Sequence, residues 1–176
     1  MIPPDNRCRE EEFRSFSKSV QIGILGYFSQ LRIGELERVR ESLTKRGLNA
    51  KMSIDLHEVF VQRPDETNAG YSLRISEELY NSSKIYIFIL IPPIRMETRL
   101  LDSVGMEYGW CYRDRKPYVA TFLKRGTNLA TLPRGALDNM RPTWTVESYN
   151  TIEDIFAVAI AYSESAIREI YSGLDR

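Results

Sequence analysis

The stretch "IYIFILI" at residues 85–91 constrains the fold of this chain more than any other feature of its sequence. It is apolar at both alternating sets of positions. A strand that is apolar on both faces is covered on both sides, as in parallel sheets flanked by two layers of helices. The stretch therefore predicts a central parallel strand in an α/β domain.

Segments with strand signals alternate with segments of helical periodicity along the rest of the chain. The other predicted strands cover residues 20–28, 49–56, 117–123 and 143–149, the last as an edge strand. The predicted helices run from Gly34 to Gly47, around Ile75 and Leu79, from Val104 to Arg113, and beyond the capping pair Thr151 and Asp154. This alternation predicts one doubly wound, mostly parallel five-stranded sheet of flavodoxin or Rossmann type, with helices on both faces.

The N-terminal residues and three connections carry no clear element. Residues 1–19 are polar and predict a loose lead-in with one docked helical turn, which leaves residues 20–176 as a single α/β domain. The segments 61–72 and 124–142 are rich in turn residues and predict two loops that overhang a pocket, the second with a helical turn. The segment 92–102 predicts an irregular connection.

Composition excludes several classes of function. Lys and Arg together number 24, as do Asp and Glu, so no net field attracts nucleic acid or an anionic membrane. The longest apolar run is too short for a membrane span. His57 is the single histidine, and Cys8 and Cys111 form no disulfide framework or metal-ligand spacing. We therefore expect a cytoplasmic protein without a metal or another cofactor.

Asp102 and Glu107 lie where a ligand site is expected. In doubly wound sheets ligands bind outside the carboxyl ends of the strands, and both acids follow the central strand. Capping alone explains them, because aspartate is a favoured N-cap and acids in a first turn complement the helix dipole. However, Gly105 and Gly109 each lower helix propensity by ~1 kcal/mol, which suggests that a ligand approaches the backbone there.

Two motifs give the chain a resemblance to a known family. The segment "DSVGMEYGWCYRDRKPYVATF" (102–122) resembles the signature of the nucleoside 2-deoxyribosyltransferases and related nucleotide N-glycosidases. The segment "IGILGYFSQ" (22–30) resembles the first strand of that family and its Gly-aromatic loop. The resemblance covers roughly residues 20–123.

The resemblance implies a catalytic set of three residues. Glu107 matches the family nucleophile, which attacks C1′ of a nucleoside or nucleotide to form a covalent glycosyl-enzyme. Asp102 matches the acid that protonates or orients the departing base, and Tyr27 matches a tyrosine that holds the glutamate. The resemblance further implies a nucleoside or nucleotide substrate and, by analogy, a homodimer. The residues expected to contact the substrate are Gly26, Phe28, Ser29, Arg32, Gly105 and Met106, with Ser29 and Arg32 as phosphate ligands if the substrate is a nucleotide.

Two other interpretations remain open. The chain could be a TIR-like or flavodoxin-like nucleotide-binding module that senses or signals without turnover. TIR domains also place a glutamate on a helix beyond a central strand, but their Trp-Cys pair precedes it, whereas Trp110 and Cys111 follow Glu107. The third interpretation is an inactive scaffold that dimerises through its covering helices.

Overall fold

Five parallel strands form one sheet in the described part of the chain. The structure, a computed structural model, describes residues 6–26, 33–90, 100–126, 131–140 and 143–174. The strands are β1 (Gln21–Gly26), β2 (Asn49–Lys51), β3 (Ile85–Leu90), β4 (Val119–Lys124) and β5 (Thr145–Tyr149). Their order is β2-β1-β3-β4-β5, and every neighbouring pair is parallel. This is the flavodoxin-like order of a doubly wound sheet, which confirms the predicted fold class.

Helices cover both faces of the sheet. They are α1 (Asn6–Ser19), α2 (Ile33–Lys45), α3 (Ser53–Leu56), α4 (Asn68–Ser82), α5 (Leu100–Arg113), α6 (Thr131–Met140) and α7 (Phe156–Leu174). Residues of α2 and α7 share one hydrophobic cluster with the sheet, and residues of α4 and α5 share the other. The sheet is therefore the middle layer of three.

Strand β3 divides its side chains between the two clusters. Ile85, Ile87 and Ile89 lie in the cluster with α2 and α7. Its other three side chains lie in the cluster with α4 and α5; they are Tyr86, Phe88 and Leu90. All six are buried, and full burial of one such apolar side chain contributes about 1.5–3 kcal/mol. The prediction of a central strand covered on both sides is confirmed.

The N-terminal segment is more regular than predicted. Helix α1 has 14 residues, where the sequence predicted a loose lead-in with one turn. The rings of Phe13 and Phe16 lie 5.4 and 5.1 Å from the ring of Tyr171 in α7. The prediction was wrong because these two aromatic residues dock the helix through a contact that is distant in sequence.

The predicted length of the second strand is also wrong. Strand β2 ends at Lys51, and α3 begins at Ser53 inside the predicted range 49–56. The Asp55 carboxylate accepts a hydrogen bond of 2.7 Å from the Met52 backbone N–H and pairs with Arg40 of α2. This capping bond and the ion pair with α2 together end the strand.

Both predicted overhanging loops contain helix. Helix α4 starts at Asn68, and the Thr67 hydroxyl caps it by accepting a hydrogen bond from the Gly70 N–H at 3.1 Å. Helix α6 has 10 residues within the predicted loop 124–142, where the sequence predicted only one helical turn. Threonine is a favoured N-cap residue, so Thr67 could have indicated the start of α4, but the turn-rich composition of the segment favoured a loop.

The start of the last helix follows the prediction. The Asp154 carboxylate accepts hydrogen bonds from the backbone N–H groups of Asn150 and Thr151 at 3.0 and 2.9 Å. A 3₁₀ turn over Ile152–Ile155 then leads into α7. The predicted capping box is confirmed.

Candidate functional site

The helix that carries the two predicted acids begins earlier than predicted. Helix α5 starts at Leu100, so Asp102 lies within its first turn and Glu107 lies about two turns inside it. The prediction that Asp102 precedes or opens the helix and that Glu107 lies near its start is therefore wrong. Five helical residues also separate the two positions by about 140° around the axis, so they lie on different faces of α5. The Asp102 side chain lies outside the described residues.

Glu107 is buried, although its side chain is ionisable. The residue is 4% exposed, and its Oε2 atom has no hydrogen-bond partner in the described part of the chain. Burial raises the pKa of Glu107 to about 8, against a smaller opposing effect from a hydrogen bond with the Ser76 side chain of α4. The carboxyl group is therefore mostly neutral at pH 7 in the folded protein.

The carboxyl group lies where α4 and α5 meet on one face of the sheet. Ser76 and Glu107 join the two helices, and both helices contact β1. From β1 the chain adds β2 on one side of the sheet and then returns to add β3, β4 and β5 on the other side, so the order of the strands reverses between β1 and β3. Such a reversal forms the crevice in which doubly wound proteins bind ligands. Glu107 is thus a buried carboxyl on the helix that follows β3, which is one of the two strands flanking that crevice.

Cys111 follows Glu107 by one helical turn and lies in the same buried region. It is 0% exposed, and burial raises the pKa of its thiol above the ordinary range, with Glu107 and Asp114 adding to the effect. A thiol in such surroundings is a poor nucleophile. Cys111 is therefore a small residue of the core.

The glycines of the motifs differ in what surrounds them. A Cβ added to Gly26 at the end of β1 would lie 2.7 Å from the Ile89 carbonyl oxygen and 3.0 Å from a Leu36 methyl group. By contrast, a Cβ at Gly105 or Gly109 would meet no described atom within 4 Å. Close packing explains Gly26 without a ligand, whereas α5 has open space beside its two glycines.

The remaining predicted site residues fall into two groups. Met106 is 37% exposed on α5, beside the buried Glu107. Four residues of the loop after β1 lie outside the described residues: Tyr27, Phe28, Ser29 and Arg32. The predicted contact between Tyr27 and Glu107 therefore stays a prediction.

An ion pair at the carboxyl edge of the sheet was missed from the sequence. Lys124, the last residue of β4, lies 3.4 Å from Glu35 in the first turn of α2. The second carboxylate oxygen of Glu35 is buried and has no hydrogen-bond partner among described residues. Ser76 was missed as well. Both omissions have one cause: only the tertiary structure brings these residues to their partners.

His57 and the acidic residues give no sign of a metal centre in the described ranges. The His57 ring packs edge-on against Tyr71, with ring centroids 4.9 Å apart. No cluster of three or more His, Cys, Asp or Glu side chains suited to a metal ion occurs among the described residues. None of the described helices combines the length and the apolar character that crossing a membrane requires.

Comparisons with known proteins assign neither a family nor a function to the chain. No protein-family model matches the chain, and no curated protein shows a significant match. Among solved structures, a conserved protein from Enterococcus faecalis V583 is 15% identical, with a TM-score of 0.45. The match covers 78% of this chain and 95% of that protein. A likeness at this level leaves function to be argued from the residues of the chain itself.

Proposed function

We propose that the protein is an N-glycosidase or deoxyribosyltransferase acting on a nucleoside or nucleotide, with Glu107 as the nucleophile. The observation that carries the proposal is the Glu107 carboxyl group, which is buried and has an Oε2 atom without a partner in the described part of the chain. A buried charged or polar group without full hydrogen bonding is costly. Such groups cluster at functional sites, where the cost serves the chemistry.

The proposed reaction has two steps on Glu107. The ionised carboxylate forms a bond to C1′ while the bond between C1′ and the base nitrogen breaks, and an acid other than Glu107 gives the base its proton. Water or an acceptor base then attacks C1′, the bond to the Glu107 oxygen breaks, and the attacking group loses its proton to the same acid-base residue. The low-polarity surroundings of Glu107 strengthen its attraction to the positive charge that develops on the sugar.

The proposal includes the location and assembly of the protein. The reducing cytoplasm suits the buried Cys111 thiol, which is free in the structure. By analogy with the family that the chain resembles, we propose a homodimer that binds a small-molecule nucleoside or nucleotide. Hydrolysis and base exchange differ only in the acceptor, so either reaction fits the proposed first step.

One observation favours a second candidate function, a nucleotide-binding sensor without turnover. Burial raises the pKa of Glu107 to about 8, so the group is mainly a neutral hydrogen-bonding group at pH 7. A neutral carboxyl can donate a hydrogen bond to a bound base or sugar, but it does not attack C1′. The two candidates therefore differ in whether Glu107 must ionise.

Release of free base separates the two candidates. The protein is incubated with nucleosides, deoxynucleotides and NAD, and free base is measured by chromatography. We expect wild-type protein to release base and the Glu107→Gln and Glu107→Ala variants to lose this activity. The matched control is Glu77→Gln, which changes an exposed carboxylate on α4 and should retain activity. Ligand binding without base release would contradict the proposal and favour the sensor; Glu107→Ala should then weaken binding, because it removes the carboxyl hydrogen bond to the ligand.

A further inference from the structure

A second cleft lies at the edge of the sheet opposite to the proposed active site. It has a volume of about 230 Å³ and lies between α7 and the segments that lead into β4 and β5. Tyr118 and Thr143 approach it from the sheet, and Tyr162, Ser165 and Glu169 approach it from α7. The amino ends of the strands are not the usual ligand edge of a doubly wound sheet. Any ligand bound in the cleft would therefore occupy a separate site.

Two of the residues that line the cleft, Tyr118 and Tyr162, carry hydroxyl groups that differ in their hydrogen bonding. The side chains of Tyr118 and Glu169 share a hydrogen bond, in which the phenol donates to the carboxylate. The Tyr162 hydroxyl is buried and has no hydrogen-bond partner among the described residues. Burial raises the pKa of Tyr162, and the neighbouring Tyr118 and Glu169 raise it further, so this hydroxyl stays neutral. A buried hydroxyl without a partner is unfavourable, and a suitably placed ligand would offset that cost.

The charge in the cleft indicates which ligand chemistry fits it. Glu169 is the one charged residue among the described side chains that line the cleft. Its carboxylate accepts the Tyr118 hydrogen bond and retains further acceptor capacity. Two phenol rings stand beside it, and aromatic faces attract cations. An anion would meet only repulsion from Glu169, whereas a cation would meet the carboxylate, the rings and the Tyr162 oxygen.

We propose that this cleft binds a small organic cation, with an ammonium or guanidinium group paired to Glu169 and hydrogen-bonded to the Tyr162 hydroxyl oxygen. The ligand is compact, because the volume lies below the roughly 300–1,000 Å³ of sites for drug-sized molecules. An alkyl chain of a few carbons can follow the apolar surface of Ala166 and Pro117. The proposal does not depend on the reaction proposed for Glu107.

Calorimetric titration of the full chain tests the proposal with putrescine and agmatine as probes. We expect saturable binding of at least one probe and none of the uncharged diol that has the same chain length as putrescine. Glu169→Gln should weaken binding by roughly tenfold or more, since a charge-assisted hydrogen bond is lost. The matched control Glu77→Gln removes one negative charge on the other face of the sheet and should leave the affinity unchanged.

A Tyr162→Phe variant separates a ligand contact from a structural role. Removing an unpartnered buried hydroxyl should leave the thermal stability equal or higher, because no internal hydrogen bond is lost. The same variant should bind the probe several-fold more weakly. A lower melting temperature with unchanged affinity would overturn the assignment of this hydroxyl to the ligand. Absence of saturable binding to wild-type protein, or equal binding to Glu169→Gln, would overturn the site.

Discussion

Replacing Glu107 by glutamine is predicted to stabilise the fold, although the residue is proposed to be essential for activity. In the folded protein burial raises the pKa of this carboxyl from 4.5 to about 8. In the unfolded chain the same group ionises near its ordinary value. The folded state therefore binds one more proton than the unfolded state between these two pH values, and the free energy of unfolding falls as the pH rises through this window.

The size of this effect follows from the pKa difference. At pH 7 the group is protonated in the fold and would be ionised in the unfolded chain. The interval from 4.5 to 7 corresponds to about 3 kcal/mol, at about 1.4 kcal/mol for each pH unit. Glutamine has nearly the shape of the neutral acid and carries no such cost. We therefore expect the Glu107→Gln variant to be more stable by about 3 kcal/mol at pH 7, with a gap that shrinks toward acidic pH.

Urea unfolding measures this difference directly. Wild type, Glu107→Gln and the exposed control Glu77→Gln are unfolded at about pH 5, 7 and 8, and the free energies are compared at equal m-values. The free energy of unfolding of Glu107→Gln should increasingly exceed that of wild type as the pH rises. The control should show the same pH dependence as wild type. A Glu107→Gln variant that is less stable than wild type at pH 7, or a gap that does not change with pH, would refute the assignment of a buried neutral carboxyl.

Three further predictions follow from the structure. Gly26→Ala should lower the free energy of unfolding in urea by about 1–3 kcal/mol, because the new Cβ would clash with the Ile89 carbonyl oxygen. Gly105→Ala lies beside open space and should be neutral or stabilising by up to about 1 kcal/mol. The reverse ranking of the two variants would contradict this packing. Asp154→Ala should lower the melting temperature at neutral pH. Backbone hydrogen bonds lower the pKa of Asp154, so the difference in melting temperature between wild type and variant should vanish as the pH falls through that lowered pKa. A difference that persists in acid would argue against the cap. Base release, if Glu107 is the nucleophile, should rise with pH toward a plateau above about 8, whereas a fall over this range would assign it the role of an acid.

The sequence predicted the sheet because each buried strand has a local signature. Strand β3 is apolar on both faces, and this pattern requires only neighbouring residues to be recognised. Helix α1 and the early end of β2 escaped prediction because they depend on contacts made by Phe16 and Asp55 with residues elsewhere in the chain. The local sequence pattern was thus sufficient to predict the strands of the core, whereas α1 and the end of β2 depend on tertiary contacts.

The candidate site was predicted less completely than the fold. The sequence drew attention to Glu107 through its flanking glycines and its position after β3. Its burial, its hydrogen bond to Ser76 and the lack of a described partner for its Oε2 atom arise only when α4 packs beside α5. The helix start at Leu100 also removed the capping explanation for Glu107, because a residue two turns inside a helix does not cap it.

A trapped sugar on Glu107 would test the central claim most directly. A nucleoside with fluorine at C2′ destabilises the positive charge that develops at C1′, so hydrolysis of a glycosyl-enzyme slows and the adduct accumulates. Intact mass and peptide mapping of the incubated protein should then show one added fluorosugar on the peptide that contains Glu107, and no adduct on the Glu107→Gln variant. Base release by wild type without any adduct at Glu107, or an equal adduct on the variant, would contradict the account.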